Sequence, residues 1–205
     1  MVAINKFLKR LLDIFSSGIA IIILIPLWII IAIAIKKDSK GSIFFKQGRR
    51  TTDGRIFHMY KFRSMYVNSP DVRNLDGSTF NGHDDPRVTP IGRFMRKTSI
   101  DEIPQFLNVL IGDMSFVGPR PTLATKSFEQ VEVERRKRYD VKPGITGYAQ
   151  AYFRNSISQE DKFKYDLYYV DHVSFKLDLK ILSQTMISVI KRENIYVKKK
   201  NNDNR

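Results

Sequence analysis

The stretch Ile14–Ile35 constrains this chain more than any other: 22 consecutive uncharged residues, rich in isoleucine, that as a helix would cover roughly 33 Å, about one hydrocarbon core. Such a segment belongs in a membrane. A cleaved signal peptide would have a shorter apolar region followed by small residues, whereas Lys36, Lys37 and Lys40 follow here. Lys6, Lys9 and Arg10 precede it, so the cationic flanks balance and do not orient the segment. Pro26 lies near its middle, removes one helical hydrogen bond and predicts a kink. Two readings stay open on physical grounds. The segment is either a crossing helix that tolerates a proline, or a bent helix that enters and leaves one leaflet with both ends on one face.

The remaining residues suffice for one packed domain, since 42% of the 205 are hydrophobic. The absence of cysteine excludes a disulfide framework, thiolate metal sites and a cysteine nucleophile. With 35 Lys+Arg against 21 Asp+Glu, the net charge of +14 favours anionic partners without choosing among them. Strands are expected at Ser42–Phe45 and Ile56–Phe62 around a turn over Arg49–Arg55, forming a small hairpin. Ser69–Asp85 is polar and aperiodic, the longest expected loop. Helical spacing covers Ile91–Lys97, Pro104–Leu110, Lys126–Tyr139, Asp161–Val170 and Leu177–Arg192, the last with Leu179, Leu182, Met186, Val189 and Ile190 on one face. The expected class is α+β and mostly helical: a membrane segment within residues 1–40, a compact domain over 41–195, and a basic polar tail over 196–205.

Phosphate-loop, zincin and hydrolase-elbow signatures are missing from the sequence. The informative stretch runs from basic residues (Arg93, Arg96, Lys97) through Asp101 and Glu102 to Gly118-Pro119-Arg120-Pro121. That order suits a phosphate-handling site. Ser99-Ile100-Asp101-Glu102 has the spacing of a capping box, which would set both carboxylates at a helix N-terminus, where a mere capping role is the plain alternative. Arg120 sits between two prolines that restrict its backbone, and its planar fork of donors suits a diphosphate. Alternation along the second strand would put Lys61 and Arg63 on one face and Phe62 on the other.

Five motifs in fixed order closely resemble the bacterial sugar transferases, and more narrowly the small monotopic phosphoglycosyl transferases. They are Lys9-Arg10-Leu11-Leu12-Asp13, Lys61-Phe62-Arg63-Ser64-Met65, Asp101 through Leu110, Gly112 through Pro121, and Lys142-Pro143-Gly144-Ile145-Thr146-Gly147. The resemblance covers roughly Lys9 to Arg192. It implies transfer of a sugar 1-phosphate from a nucleoside diphosphate sugar, usually a UDP-sugar, to polyprenyl (undecaprenyl) phosphate, releasing UMP and opening assembly of a surface glycan. It further implies that Asp101 is the nucleophile, forms a phosphosugar-aspartyl intermediate and lies at an Mg²⁺ site. Glu102 would complete the acidic pair as base or positioner. Lys61, Arg96 and Arg120 match family cations near the phosphates, with Asp166 and Asp178 as further acidic positions, and Arg63 and Arg154 are added as substrate-binding candidates. The implied location is the cytoplasmic face of the bacterial inner membrane, with the helix turning back at Ile25-Pro26 among membrane lipid.

Two departures stand out. Many members carry Ser-Pro at the bend, where this chain has Ile25-Pro26 and no hydroxyl to satisfy a freed carbonyl. Ala151-Tyr152-Phe153 stands before Arg154 where the family often has a glycine-containing polar turn. A membrane-anchored nucleic-acid-binding protein is the rival suggested by the charge and nine tyrosines. The basic residues are spread rather than clustered, so nucleic acid is not the expected partner. An inactive scaffold is the third reading, and the oligomeric state stays open, a homo-oligomer included.

Overall fold

The computed structural model describes residues 3–73, 80, 82, 84–125, 127–154 and 156–191. The expected tail over 196–205 and part of the expected long loop lie outside them. Helix α1 (Ala3–Asp38) is one assigned helix with Pro26 inside it, and among the described residues it is the one helix long and apolar enough to cross a membrane. Next come β1 (Phe44–Arg50) and β2 (Ile56–Phe62), paired antiparallel from Phe44↔Phe62 to Arg50↔Ile56. Helices α2 (Pro90–Thr98) and α3 (Gln105–Ile111) follow, then β3 (Ser115–Val117), α4 (Val133–Arg136), β4 (Gly144–Thr146), α5 (Tyr148–Tyr152), α6 (Gln159–Asp171) and α7 (Phe175–Lys191). The α+β class, mostly helical with an apolar N-terminal helix and a hairpin, is the observed one.

Three apolar clusters tie these elements together. Ile31 and Ile35 of α1 pack with Phe62 and Met95, and Trp28 sets its ring edge-on to Phe44 and Phe62. Phe57 and Met59 of the hairpin pack on Val109 and Met114. Val117, Ala151, Tyr169 and Ile181 join β3 to the C-terminal helices. Asn108 links the first two layers: its fully buried amide accepts from Tyr60 N at 2.9 Å and donates to His58 O at 2.8 Å, meeting the main chain of β2 as a strand would.

Several expectations need correction. The first strand begins at Phe44 and runs to Arg50, so the turn is confined to the residues around Asp53 and Gly54, both at positive φ. The charged segment to Tyr139 keeps only the four residues of α4 and a 3₁₀ turn, Lys137–Asp140, as helix. A second, parallel ladder pairs Ser115 with Gly144 and Val117 with Thr146. It depends on glycine, because a Cβ on Gly118 would stand 2.2 Å from Lys142 O and one on Gly144 would stand 2.1 Å from Gly118 N. The apolar residues of α7 point outward: Leu179, Met186 and Ile190 are exposed, while Asp178, Ile181 and Ser188 form the buried side.

Both ends of α1 dock on this one domain. Near the N-terminus, Arg10 donates from Nη1 to Val109 O (2.6 Å) and from Nη2 to Leu110 O (2.8 Å), satisfying carbonyls at the C-terminal end of α3. Buried Asp13 accepts from Ser115 Oγ and Phe116 N, each at 3.1 Å. Near the C-terminus, Ile31 and Ile35 enter the core and Lys36 Nζ donates to Gly41 O at 2.8 Å. Between these contacts Ile22, Ile23, Ile25 and Pro26 are exposed.

Candidate active site

Asp101 and Glu102 lie on a 3₁₀ turn, Ile100–Glu102, between α2 and α3. The capping box does not form. Ser99 ends α2 at φ 60°, and in that left-handed conformation its side chain makes no capping bond; Glu102 N donates instead to Ser99 O. Gly92 lets α2 approach the hairpin's exit, since a Cβ there would stand 2.0 Å from Ser64 O. That approach carries Arg96, whose Nε donates to Ser64 Oγ at 2.9 Å, toward the acidic turn.

The two carboxylates differ in their partners. Glu102 Oε1 accepts from Lys61 Nζ at 2.6 Å. Asp101 is buried, and its side chain receives no side-chain hydrogen bond among the described residues. Burial raises its pKa to about 6, with Glu102 adding to the rise and Lys61 and Arg96 opposing it. Burial also works against ionised Glu102, but Lys61, Arg120 and Arg154 outweigh it and hold that group well below the usual glutamate range. At neutral pH both are anions, one tied down and one available.

A pocket beside the turn is lined by Arg49, Met59, Lys61, Glu102, Gln105 and Arg120, with Pro121, Gly144 and Ile145 completing the wall. The structure therefore gathers Lys61, Arg96, Asp101, Glu102 and Arg120 from separate motifs, and Arg154 joins them electrostatically through Glu102. Arg154 stands at φ 49°, a strained conformation for an arginine.

Three expected site residues serve elsewhere. Arg63 is buried beneath the end of α1, donating to Ser42 O (2.6 Å), Ser39 Oγ (2.7 Å) and Ser39 O (2.9 Å). It departs from Lys61 because β2 ends at Phe62 and strand alternation stops with it. Asp166 pairs with Arg138, and the two hold the Arg120 main chain from either side: Asp166 receives a main-chain bond from Arg120, and Arg138 Nη2 donates to Arg120 O at 3.0 Å. Asp178 accepts from Lys9 Nζ at 2.5 Å and from the Tyr169 hydroxyl at 2.7 Å, so it anchors α1. Ile25 and Pro26 lie far along α1 and are exposed.

Gln105 and Arg49 line the pocket without having been singled out in the sequence. Gln105 stands in the Asp101–Leu110 motif, which was the available signal, whereas Arg49 lay in a segment read as a turn. Among the described residues no three His, Asp or Glu side chains converge as a metal cage. Arg10, Arg63, Arg87 and Arg138 are all bonded internally, so much of the positive charge is not an open basic face.

Residues 4–192 match the family model of the bacterial sugar transferases. The chain belongs to that family. This sugar transferase is 46% identical over 189 residues to the sugar transferase EpsL of Bacillus subtilis, covering 92% of this chain and 90% of that protein. It is 39% identical to the UDP-glucose:undecaprenyl-phosphate glucose-1-phosphate transferase of Klebsiella pneumoniae, covering 94% of this chain and 42% of that one. It is also 39% identical to the UDP-N-acetylgalactosamine-undecaprenyl-phosphate N-acetylgalactosaminephosphotransferase of Aeromonas hydrophila, covering 91% and 44%. The sugar transferase thus spans nearly all of the Bacillus relative and less than half of the other two.

Proposed function

We propose that this sugar transferase moves a sugar 1-phosphate from a UDP-sugar to undecaprenyl phosphate through a covalent intermediate on Asp101. The observation that carries the assignment is the division between the carboxylates: Glu102 is bonded to Lys61, while buried Asp101 receives no side-chain donor among the described residues. In the first step an Asp101 oxygen bonds to the sugar-bearing phosphorus and the bridging P–O bond to the nucleotide breaks, releasing UMP. In the second, an oxygen of undecaprenyl phosphate attacks the same phosphorus, the aspartyl–phosphorus bond breaks, and the carboxylate is restored. Splitting one displacement between two anions into two steps lets the same cations serve both. Lys61, Arg96 and Arg120 offset the crowded charge, and Asp166 with Arg138 keeps the Arg120 backbone in place.

Mg²⁺ belongs to this proposal. Two neighbouring carboxylates beside an open pocket fit an ion that takes one or two carboxylates and fills its shell with water and substrate phosphate. Asp101 would hold it, and it would supply charge neutralisation at the phosphates.

The docking of both ends of α1 on one domain supports the re-entrant reading, because a crossing helix would part its ends by a bilayer. The exposed stretch around Ile22–Pro26 would then lie in the cytoplasmic leaflet, and the outward face of α7 suits the same interface. The placement proposed is the cytoplasmic face of the inner membrane. The test is a panel of UDP-sugars with undecaprenyl phosphate and Mg²⁺, scored by UMP release, together with isolation of a phosphosugar-labelled protein when the acceptor is withheld. Release from one sugar, with label retained on the wild type and absent from Asp101→Asn, is expected; UMP release without any labelled protein overturns the covalent route.

A further inference from the structure

Arg49 stands near the end of β1, its main chain fixed by pairing with Leu123. Its Nη1 donates to Pro121 O at 2.9 Å and its Nη2 to Gln47 Oε1 at 2.6 Å. The third nitrogen, Nε, is buried and has no hydrogen-bond acceptor among the described residues. Leaving a guanidinium donor buried and unbonded is costly. The chain accepts a second cost beside it, because Arg49 shares one pocket with Arg120 and Lys61. Burial and the neighbouring Arg120 lower the Arg49 pKa to about 10, with Glu102 working the other way, so the residue stays charged at neutral pH. Two guanidinium forks held together against their repulsion are matched to a ligand with several negative oxygens.

The pocket wall gives this cradle its place: Arg49, Lys61, Glu102 and Arg120 line it together, Lys61 is bonded to Glu102, and Asp101 precedes Glu102 on the turn beside it. In an in-line displacement the attacking and leaving oxygens lie on opposite sides of phosphorus. With Asp101 attacking from the turn, the departing phosphate is assigned to the pocket, where the cations besides Glu102-bound Lys61 are Arg120 and Arg49. Resting on the reaction proposed above, we propose that Arg49 and Arg120 together grip the nucleotide phosphate, the one that leaves as UMP, and that Arg49 uses its unbonded Nε edge to do so. Lys61 and Arg96 stay with the phosphorus under attack.

The experiment uses the full chain in lipid nanodiscs and measures affinity for UMP and for inorganic pyrophosphate, beside steady-state UMP release. Arg49→Ala is expected to weaken UMP and pyrophosphate binding at least about tenfold, and Arg49→Lys by about threefold to tenfold, because an ammonium keeps the charge without the fork. Circular dichroism and thermal midpoint identify any variant that fails to fold, and Arg49→Lys then carries the comparison. A Gln47→Ala variant, which frees one end of the guanidinium but leaves its charge in place, should shift UMP affinity less than Arg49→Ala. Unchanged UMP and pyrophosphate affinity in folded Arg49→Lys and Arg49→Ala overturns the inference while wild-type UMP release keeps the reaction. Wild-type protein that releases no UMP from any UDP-sugar, yet loses pyrophosphate binding on Arg49→Ala, overturns the reaction and keeps the anion cradle.

Discussion

Asp101 and Asp13 are both buried carboxylates, and they are built in opposite ways. Asp13 spends its charge on the fold, accepting one hydroxyl and one main-chain N–H of β3. Asp178 does the same with Lys9 and Tyr169. Asp101 is as deeply placed but receives no side-chain hydrogen bond among the described residues, and burial raises its pKa. The difference teaches that burial alone does not single out a carboxylate in this chain; what sets Asp101 apart from Asp13 and Asp178 is burial beside the pocket without a side-chain donor among the described residues.

The comparison breaks most sharply at Asp101→Asn. UMP release should fall by at least about a thousandfold, since an amide cannot serve as the anionic nucleophile. The same variant should be the more stable protein. Asp101 titrates near 6 in the fold against 3.8 for an ordinary aspartate, so the fold loses stability as pH rises from about 4 to about 6, and removing the charge restores up to about 3 kcal/mol. A thermal melt at pH 7.5 without Mg²⁺ checks this; a lower midpoint for Asp101→Asn would place Asp101 with the structural carboxylates.

A pH profile sharpens the same point. Below about pH 6, kcat/KM should drop about tenfold per unit as Asp101 takes up its proton. Rising Mg²⁺ should move that limb to lower pH if Asp101 holds the ion, and a limb indifferent to Mg²⁺ removes Asp101 from that role.

Asp13→Ala should do the reverse of Asp101→Asn. It leaves the Ser115 hydroxyl and the Phe116 N–H without their acceptor, and should cost about 2–3 kcal/mol in urea unfolding. Asp178→Asn keeps a hydrogen-bond acceptor for Tyr169 and loses only the charge facing Lys9, so about 1 kcal/mol is expected, with UMP release reduced less than threefold. A collapse of turnover at unchanged stability would move Asp178 into the chemistry.

Much of the candidate site was legible because its signals are local. The acidic pair, Lys61, Arg96 and Arg120 each lie in a compact motif, and the family match covers them all. The misreadings have physical causes. Ser99 had the spacing of a cap, but the left-handed turn that separates α2 from α3 took it away from that role. Arg63 followed the strand's alternation on paper, yet β2 stops one residue short and the carbonyls at the end of α1 claim the guanidinium. Arg49 was hidden inside an expected turn because β1 continues five residues beyond the expected strand end at Phe45. Asn108 gave no local signal, since its partners lie 48 and 50 residues away. The outward face of α7 carried the right helical period, but period alone does not tell a buried face from an exposed one.

The bonds that seat the N-terminal turn of α1 set an order of events during synthesis. Arg10 waits for Val109 and Leu110, Asp13 for Ser115 and Phe116, and Lys9 for Asp178, a partner 169 residues downstream. The ribosome therefore delivers the apolar helix long before its berth exists, and the last latch closes only after α7 has emerged. Until then only the C-terminal half of the helix, through Ile31 and Ile35 against Phe62 and Met95, has partners to settle on, so residues 9–13 are the last part of the helix to be seated.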